Sequence, residues 1–468
     1  MTPQEYYARV IGKLKNSFWH AHYVVAAGRE LLADGWDPGF LVAVEPIDRL
    51  EKFTLEKGMQ VHMPVVGERS DSVLMPMDFE VFLLGENHKL YTDKESQRHW
   101  FKQAAPVFRF VEGFFRERGV PYLLDYTPSG AHLLWQNPAY ERPFAEIEKI
   151  GCLEEDLVRA CRHVDVSDIK RRWGVSLEAA RVFSGLGKLA EYVSLVAIEA
   201  FKDGDSEGGL PLTISDSLDR CVNFDNSWCE GSPFMRSIRS PFSLHKKNHD
   251  KYQMFHHPPL VDVIGAVYDG RNAVEEPDLD RIVDCMWDLE KAAEHASRFS
   301  GIIPAADDGV IELVAEYKRS ALFEFHQEFD RTRDLPRGEA LARARRDGRL
   351  TDFARQVLDQ PNPMALQPKN MMGFAYDLLV YADWKPKHIA NVLRDLYIDP
   401  RHGWTIDFFK YPAEEKANFW ARTFSALALW RTGGLSVSAA GSAGKGPEAA
   451  AGPQLPHISR RERGALSG

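Results

Sequence analysis

Ser72-Val73-Leu74-Met75-Pro76-Met77-Asp78-Phe79-Glu80-Val81-Phe82-Leu83-Leu84 is the stretch on which the reading of this chain turns. It is short, apolar and strand-like, and Gly85-Glu86-Asn87 closes it as a turn. Side chains alternate between the two faces of a strand. Met77, Phe79, Val81 and Leu83 therefore share one face and can pack on helices, while Asp78 and Glu80 share the other, about 7 Å apart. Two carboxylates on one face of a buried strand repel each other and are costly to desolvate. A divalent cation offsets that cost by supplying opposite charge to oxygen donors. Two-metal phosphoryl-transfer sites are built from such pairs. An edge strand with a wet polar face would give the same pattern.

Outward from this strand the chain alternates helical and strand-like segments. Ser96 to Arg118 carries Phe101, Ala104, Ala105, Phe108, Val111, Phe114 and Phe115 at helical spacing, with an interruption expected at Pro106 and a stop at Gly119. Val120 to Asp125 and Ala131 to Trp135 read as two strands joined by the turn Thr127-Pro128-Ser129-Gly130. Residues 1 to about 60 read as helical, and so, mostly, do residues 145–202. Residues 203–209 form a polar linker to a second strand-like run, Cys221 to Phe224. Ser232 followed by Pro233 reads as the start of a short helix that Pro241 ends after Arg239. From about 306 the pattern is helical, with no strand. The expectation is an α+β chain: a mixed domain over 1–305 with N-terminal helices, a boundary near Gly301–Pro304, an α-helical domain over 306–432, and a Gly/Ala/Pro-rich tail over 433–468 too poor in apolar surface to order itself.

Composition bounds the function. The chain has 468 residues, 44% hydrophobic and 27% charged, enough to bury a core without a disulfide or metal staple. Five cysteines exclude a disulfide scaffold and point to free thiols in a reducing compartment. No apolar run approaches the ~18 residues that span a bilayer, and the first twenty residues carry no basic-then-apolar signal region. A cytoplasmic protein that does not engage a membrane is expected. The formal net charge of -10 argues against a nonspecific nucleic-acid coat, though not against an enzyme that gathers its cations in one channel.

Two further segments carry chemistry. In Tyr126-Thr127-Pro128-Ser129-Gly130-Ala131-His132 a small-residue turn delivers a histidine to the start of a strand. Gly130 permits close backbone approach, and Ser129 and His132 can donate to phosphate oxygens. Between Arg236 and Lys251 lie five Lys/Arg and one Asp, a basic island interleaved with Pro241, Phe242 and Leu244, which should hold the backbone down. Just upstream, Phe224-Asp225 offers a third carboxylate; Asp219 fits the same pattern with a longer insertion after it.

In this order the pieces resemble the archaeo-eukaryotic primase superfamily, the primase small subunits and primase-polymerases. That family carries a D-x-D/E strand, a small-x-His strand and a hydrophobic-Asp strand, matched here by Asp78-Phe79-Glu80, Gly130-Ala131-His132 and Phe224-Asp225. The most specific match is Arg239-Ser240-Pro241-Phe242-Ser243-Leu244-His245. The resemblance spans roughly 75–260. It implies an RRM-like, mostly antiparallel catalytic core and a template-dependent nucleotidyltransferase. Asp78, Glu80 and Asp225 would hold two Mg²⁺ or Mn²⁺ ions, while Ser129, His132, Arg239, Ser240, His245 and Lys246 would bind the nucleotide. The implied partners are nucleoside triphosphates, a single-stranded DNA template and a primer strand. Unlike many small subunits, the chain has a short turn before His132 that lacks an arginine. Cys152, Cys161, His163, Cys221 and Cys229 include no C-x2-C pair, so no structural zinc is expected.

The C-terminal region is similar to helical domains fused to bacterial and mobile-element primase-polymerases. Lys385, Lys387, His388, Arg394 and Arg401 would form a template-binding face, whereas Trp404, Tyr411, Phe419 and Trp420 read as core in preference to base-stacking platforms. Two alternatives stand. His20-Ala21-His22 matches the metal-binding element of rolling-circle (HUH) nicking enzymes, but lies in Lys15 to Leu32, read as helix where that motif needs a strand. A nucleic-acid-binding accessory without catalysis is the other, and the intact carboxylates argue against it.

Overall fold

The computed structural model of the chain describes residues 1–18, 22–26, 41–46, 49–67, 70–161, 175–201, 209–214, 218–230, 233, 236–245, 259–272, 274–360, 368–402 and 413–436. Lys246, Ser232, His163, Trp404 and Tyr411, the linker 203–208 and the expected tail from 437 lie outside the described residues. The strands are β1 (His22–Ala26), β2 (Leu41–Pro46), β3 (Val61–Pro64), β4 (Ser72–Leu83), β5 (Tyr122–Thr127), β6 (Gly130–Pro138), β7 (Leu212–Ile214), β8 (Arg220–Phe224), β9 (Ser237–Arg239), β10 (Leu244–His245), β11 (Leu260–Val261) and β12 (Val263–Tyr268).

A six-stranded mixed sheet in the order β12-β5-β6-β4-β8-β7 organises the α+β fold. All its pairings are antiparallel except β7 with β8. β4 lies inside the sheet, and its Met75, Met77, Phe79, Val81 and Leu83 are fully buried while Asp78, Glu80 and Phe82 on the other face are half-buried. The alternation expected from the sequence is therefore the alternation observed. The helix Lys94–Glu117 covers the apolar face. Its Phe101 and Phe108 rings meet Tyr126 with centroids 6.3 and 5.8 Å apart, and Phe115 meets Trp135 at 5.4 Å. With helices on that face, the acidic face is left for chemistry.

That helix runs without interruption through Pro106, against the expectation of a break. An interior proline costs about 3 kcal/mol through its missing N–H and its clash with the preceding turn. Here burial of Phe101, Phe108 and Phe115 against the sheet holds the two halves in line.

Two other expectations are corrected by a four-stranded sheet, β2-β1-β3-β9. The first 60 residues are not all helix: after the helix Pro3–Asn16 come β1 and β2. Arg239 closes no short helix either. Ser237–Arg239 is strand β9, with His62 opposite Arg239 and Pro64 opposite Ser237. β9 takes its ladder bonds from β3, far earlier in the chain, and local spacing does not record such a partner.

The C-terminal part of the described chain is helical, as expected. A first core cluster extends from Tyr6 through the six- and four-stranded sheets and the two-stranded pair β10-β11 to Leu322 and takes in Ala426, Leu427 and Leu435, while a second gathers Phe329 to Phe424. The helix Ala413–Arg431 belongs to both. Phe419 and Trp420 are core residues, with the Trp420 ring stacked on Phe424 at 5.0 Å. Among the described residues no helix is long and apolar enough to cross a membrane.

Candidate metal centre

Strand register builds the site. Directly opposed residues of antiparallel strands put their side chains on the same face. β4 sets Asp78 opposite His132 of β6, and β5 sets Asp125 opposite the same His132. Asp225 follows Phe224, which lies opposite Phe79, and its amide donates to the Asp78 carbonyl oxygen at 3.0 Å. The result is a row across the sheet of Asp125, His132, Asp78 and Asp225, with Glu80 two residues along β4. One ligand atom each from Asp78, Glu80 and Asp225 all lie within 4.8 Å of one another. Among the described residues no other three His, Cys, Asp or Glu side chains gather so closely. An all-oxygen set at this spacing fits a hard divalent cation such as Mg²⁺ or Mn²⁺.

The turn before β6 is pressed against this cluster. Gly130 lies opposite Glu80, and a Cβ there would sit 1.7 Å from the Phe79 carbonyl oxygen. The close approach that Gly130 permits is thus to the backbone of β4. The Ser129 carbonyl oxygen accepts the Val81 amide at 2.7 Å, and the residue is buried beside the acidic end of the strand.

Arg239 reaches the acidic face from the other sheet. Its Nη1 donates to both carboxylate oxygens of Asp262, at 3.3 and 3.2 Å, while Asp262 is anchored by its amide on the Ser243 carbonyl oxygen at 3.0 Å. Arg239 Nε is buried and has no hydrogen-bond partner among the described residues, so donors remain for an anion.

The electrostatics follow from burial and an excess of acid. Burial raises the Asp78 carboxyl well above its usual range, Glu80 and Asp225 raise it further, and Arg239 opposes them. Burial does the same to Asp125, again against Arg239. Asp262 is pushed up to about 7 by burial, with Arg239 in opposition. Burial lowers His132 to about 4, so its imidazole is neutral near pH 7. Its Nε2 is 3.5 Å from Asp78 Oδ1 and its Nδ1 3.8 Å from Asp125 Oδ2.

Of the residues expected at the site, Asp78, Glu80, Asp225, Ser129, His132 and Arg239 come together around this face. Asp225 completes the trio; Asp219 is exposed beyond the far end of β8, where its carbonyl accepts the Leu84 amide. Ser240 is fully buried, with its amide on the Val61 carbonyl oxygen and its hydroxyl on the Pro241 carbonyl oxygen at 3.3 Å, a structural position. His245 is buried with its ring 5.5 Å from Tyr91.

Asp125 and Asp262 lie outside the motifs that mark the site in the sequence. Each is a lone acid inside an apolar run, Tyr122-Leu123-Leu124-Asp125-Tyr126 and Leu260-Val261-Asp262-Val263-Ile264, and a fully buried acid is rare enough to have been a signal.

Two readings are corrected. The expected template face is broken up by the fold. Lys387 is buried, donating to Glu154 at 2.7 Å and Asn418 at 3.2 Å, and Arg394 is buried against Asp395 and the Leu335 carbonyl oxygen. His22 opens a strand, β1, and not a helix, although His20 and Ala21 lie outside the described residues. β1 belongs to the four-stranded sheet, separate from the sheet that bears the carboxylate cluster.

The chain matches no family model, and no curated protein or solved structure matches it either.

Proposed function

We propose that this chain is a template-dependent nucleotidyltransferase of the primase-polymerase type, a cytoplasmic enzyme that adds nucleotides from nucleoside triphosphates to the 3′-hydroxyl of a growing strand and releases pyrophosphate. The observation that carries the reading is the convergence of Asp78, Glu80 and Asp225 on one face of a mostly antiparallel sheet, with a histidine and an arginine beside them. The order of the motifs along the chain supports it, as does the excess of buried acid over cation. A cation held by Asp78, Glu80 and Asp225 would lower the pKa of an attacking 3′-hydroxyl and offset charge developing on the phosphates.

The chain's own groups divide the remaining work. Arg239, held in place by Asp262, presents a guanidinium to a triphosphate oxygen. His132 can donate one hydrogen bond as a neutral imidazole. The turn at Ser129-Gly130 lies beside Glu80 and fixes the backbone next to the acids. These groups orient the triphosphate so that the hydroxyl and the phosphorus approach in line, and positioning together with electrostatic stabilisation is nearly all of catalysis in phosphoryl transfer.

The test is an extension assay with labelled NTPs and dNTPs, with and without primer, in Mg²⁺ and in Mn²⁺. Wild-type protein is expected to incorporate nucleotide, and Asp78→Ala to lose about 1000-fold, the upper end for one electrostatic group, while keeping its circular dichroism spectrum. Incorporation unchanged in Asp78→Ala would remove the reading.

A further inference from the structure

Asp225 differs from the other members of the cluster in the backbone that carries it. Asp78 and Glu80 belong to β4, with β6 on one side and β8 on the other. Asp225 lies just past β8, at the head of the 3-10 segment Asn226–Glu230. Its Oδ1 accepts the Ser227 amide at 2.8 Å, so its rotamer follows the position of residue 227.

That segment is tied on two sides. Toward the helix Leu177–Phe201, Asn226 donates to Ser194 Oγ at 2.8 Å, and the Trp228 ring packs edge-on to Phe183 at 5.7 Å. Toward the C-terminal helix, Glu230 Oε2 lies 3.1 Å from Lys416 Nζ, with both side chains about nine-tenths buried. Glu230 Oε1 lies 3.5 Å from Arg236 Nη2, which also donates to the Ser227 carbonyl oxygen. A buried ion pair is a poor source of stability, because an apolar pair of the same volume often holds two elements as well or better. Its distinctive contribution is a defined geometry, and here that geometry ends on residue 227.

We propose that Lys416 and Glu230 are positioning residues of the carboxylate cluster. The helix Ala413–Arg431 acts through Lys416, Glu230, Arg236 and Ser227 to hold Asp225 in the rotamer that completes the cation site. The helical part of the chain is therefore a brace on the third ligand, and its docking sets how well the cluster binds a divalent ion. This inference rests on the cation reading of the cluster, and the test separates the two.

The test is Mn²⁺ binding to the full chain without nucleotide, read from the electron paramagnetic resonance signal of free Mn²⁺, with thermal unfolding of each variant alongside. Asp225→Asn is expected to abolish binding. Lys416→Met, which keeps the aliphatic stem, and the near-isosteric Glu230→Gln are each expected to weaken it about tenfold, the low end for groups that support a metal ligand from behind. The double variant should be no weaker than either single one, because both changes break the same chain of contacts. If Asp225→Asn loses Mn²⁺ while Lys416→Met and Glu230→Gln bind as wild type, the bracing role is overturned and the cation reading stands. If the two losses simply add, the shared chain is overturned. Undiminished binding in Asp225→Asn overturns the cation reading itself.

Discussion

Asp78 and Glu191 are both acids withdrawn from water, and they titrate in opposite directions. Burial raises Asp78, its nearest charged neighbours are two more carboxylates, and only Arg239 works against the rise. Burial raises Glu191 too, yet it is held at about 2 because Arg422 and His326 outweigh that cost. Arg422 Nε lies 3.1 Å from both Glu191 oxygens and His326 Nε2 lies 3.0 Å from one of them. Close by, the fully buried Lys188 pairs with Asp330 and donates to the Ile150 carbonyl oxygen at 3.0 Å. The helical cluster is electrically balanced within the chain and joins three helices. The cluster on the sheet is not balanced by the chain and is suited to a cation from outside. A balanced buried cluster is a structural device; an unbalanced one keeps its repulsion, and that repulsion favours a ligand of opposite charge.

The largest expected difference is in stability. Glu191→Gln leaves Arg422 buried without its counter-ion, so it should destabilise the chain by about 3–5 kcal/mol in a urea titration. A loss under 1 kcal/mol would show that the helical cluster does not carry the charge balance assigned to it. On the other side, Asp78→Asn removes one of three mutually repelling groups. It should stabilise the metal-free chain by about 1 kcal/mol, the usual sign for removing strain from a functional site, and should abolish the rise in melting temperature that Mn²⁺ gives to wild type. Destabilisation in that variant would mean the trio is not under repulsion.

The smallest effect is the pH dependence, and its windows separate the two regions. Glu191 is depressed from 4.5 to about 2, so its contribution is present above pH 4.5 and lost as pH falls toward 2. Asp78 is raised well above 3.8, so protons compete with a cation for its oxygens at pH values well above that one. The melting-temperature increase caused by Mn²⁺ should therefore be larger at pH 8 than at pH 5. A thermal-shift series with Mn²⁺ and with chelator checks this, and an increase independent of pH would place the cation elsewhere.

How much of this was legible in the sequence varies with distance along the chain. The faces of β4 were readable, because alternation is a local property of extended backbone. The Pro106 helix was mostly readable, and the difference there lies in packing against the sheet, where Phe101, Phe108 and Phe115 are buried by elements that local spacing does not record. Lys387 and Arg394 looked like an exposed basic row on helical spacing and turned out to be buried ion-pair partners of Glu154 and Asp395. Spacing on one helix does not tell which face another element covers.

By itself the sequence determined the composition of the site: an alternating strand that offers two acids on one face, a glycine turn leading to a histidine, an acid ending a later strand and an arginine beyond it. The tertiary structure alone decided that Asp225 and not Asp219 joins the pair, that Asp125 and Asp262 stand behind His132 and Arg239, and that Lys416 reaches the segment after Asp225. The reason is register: cross-strand pairing and helix docking join residues tens to hundreds of positions apart, and no local periodicity records which of them will meet.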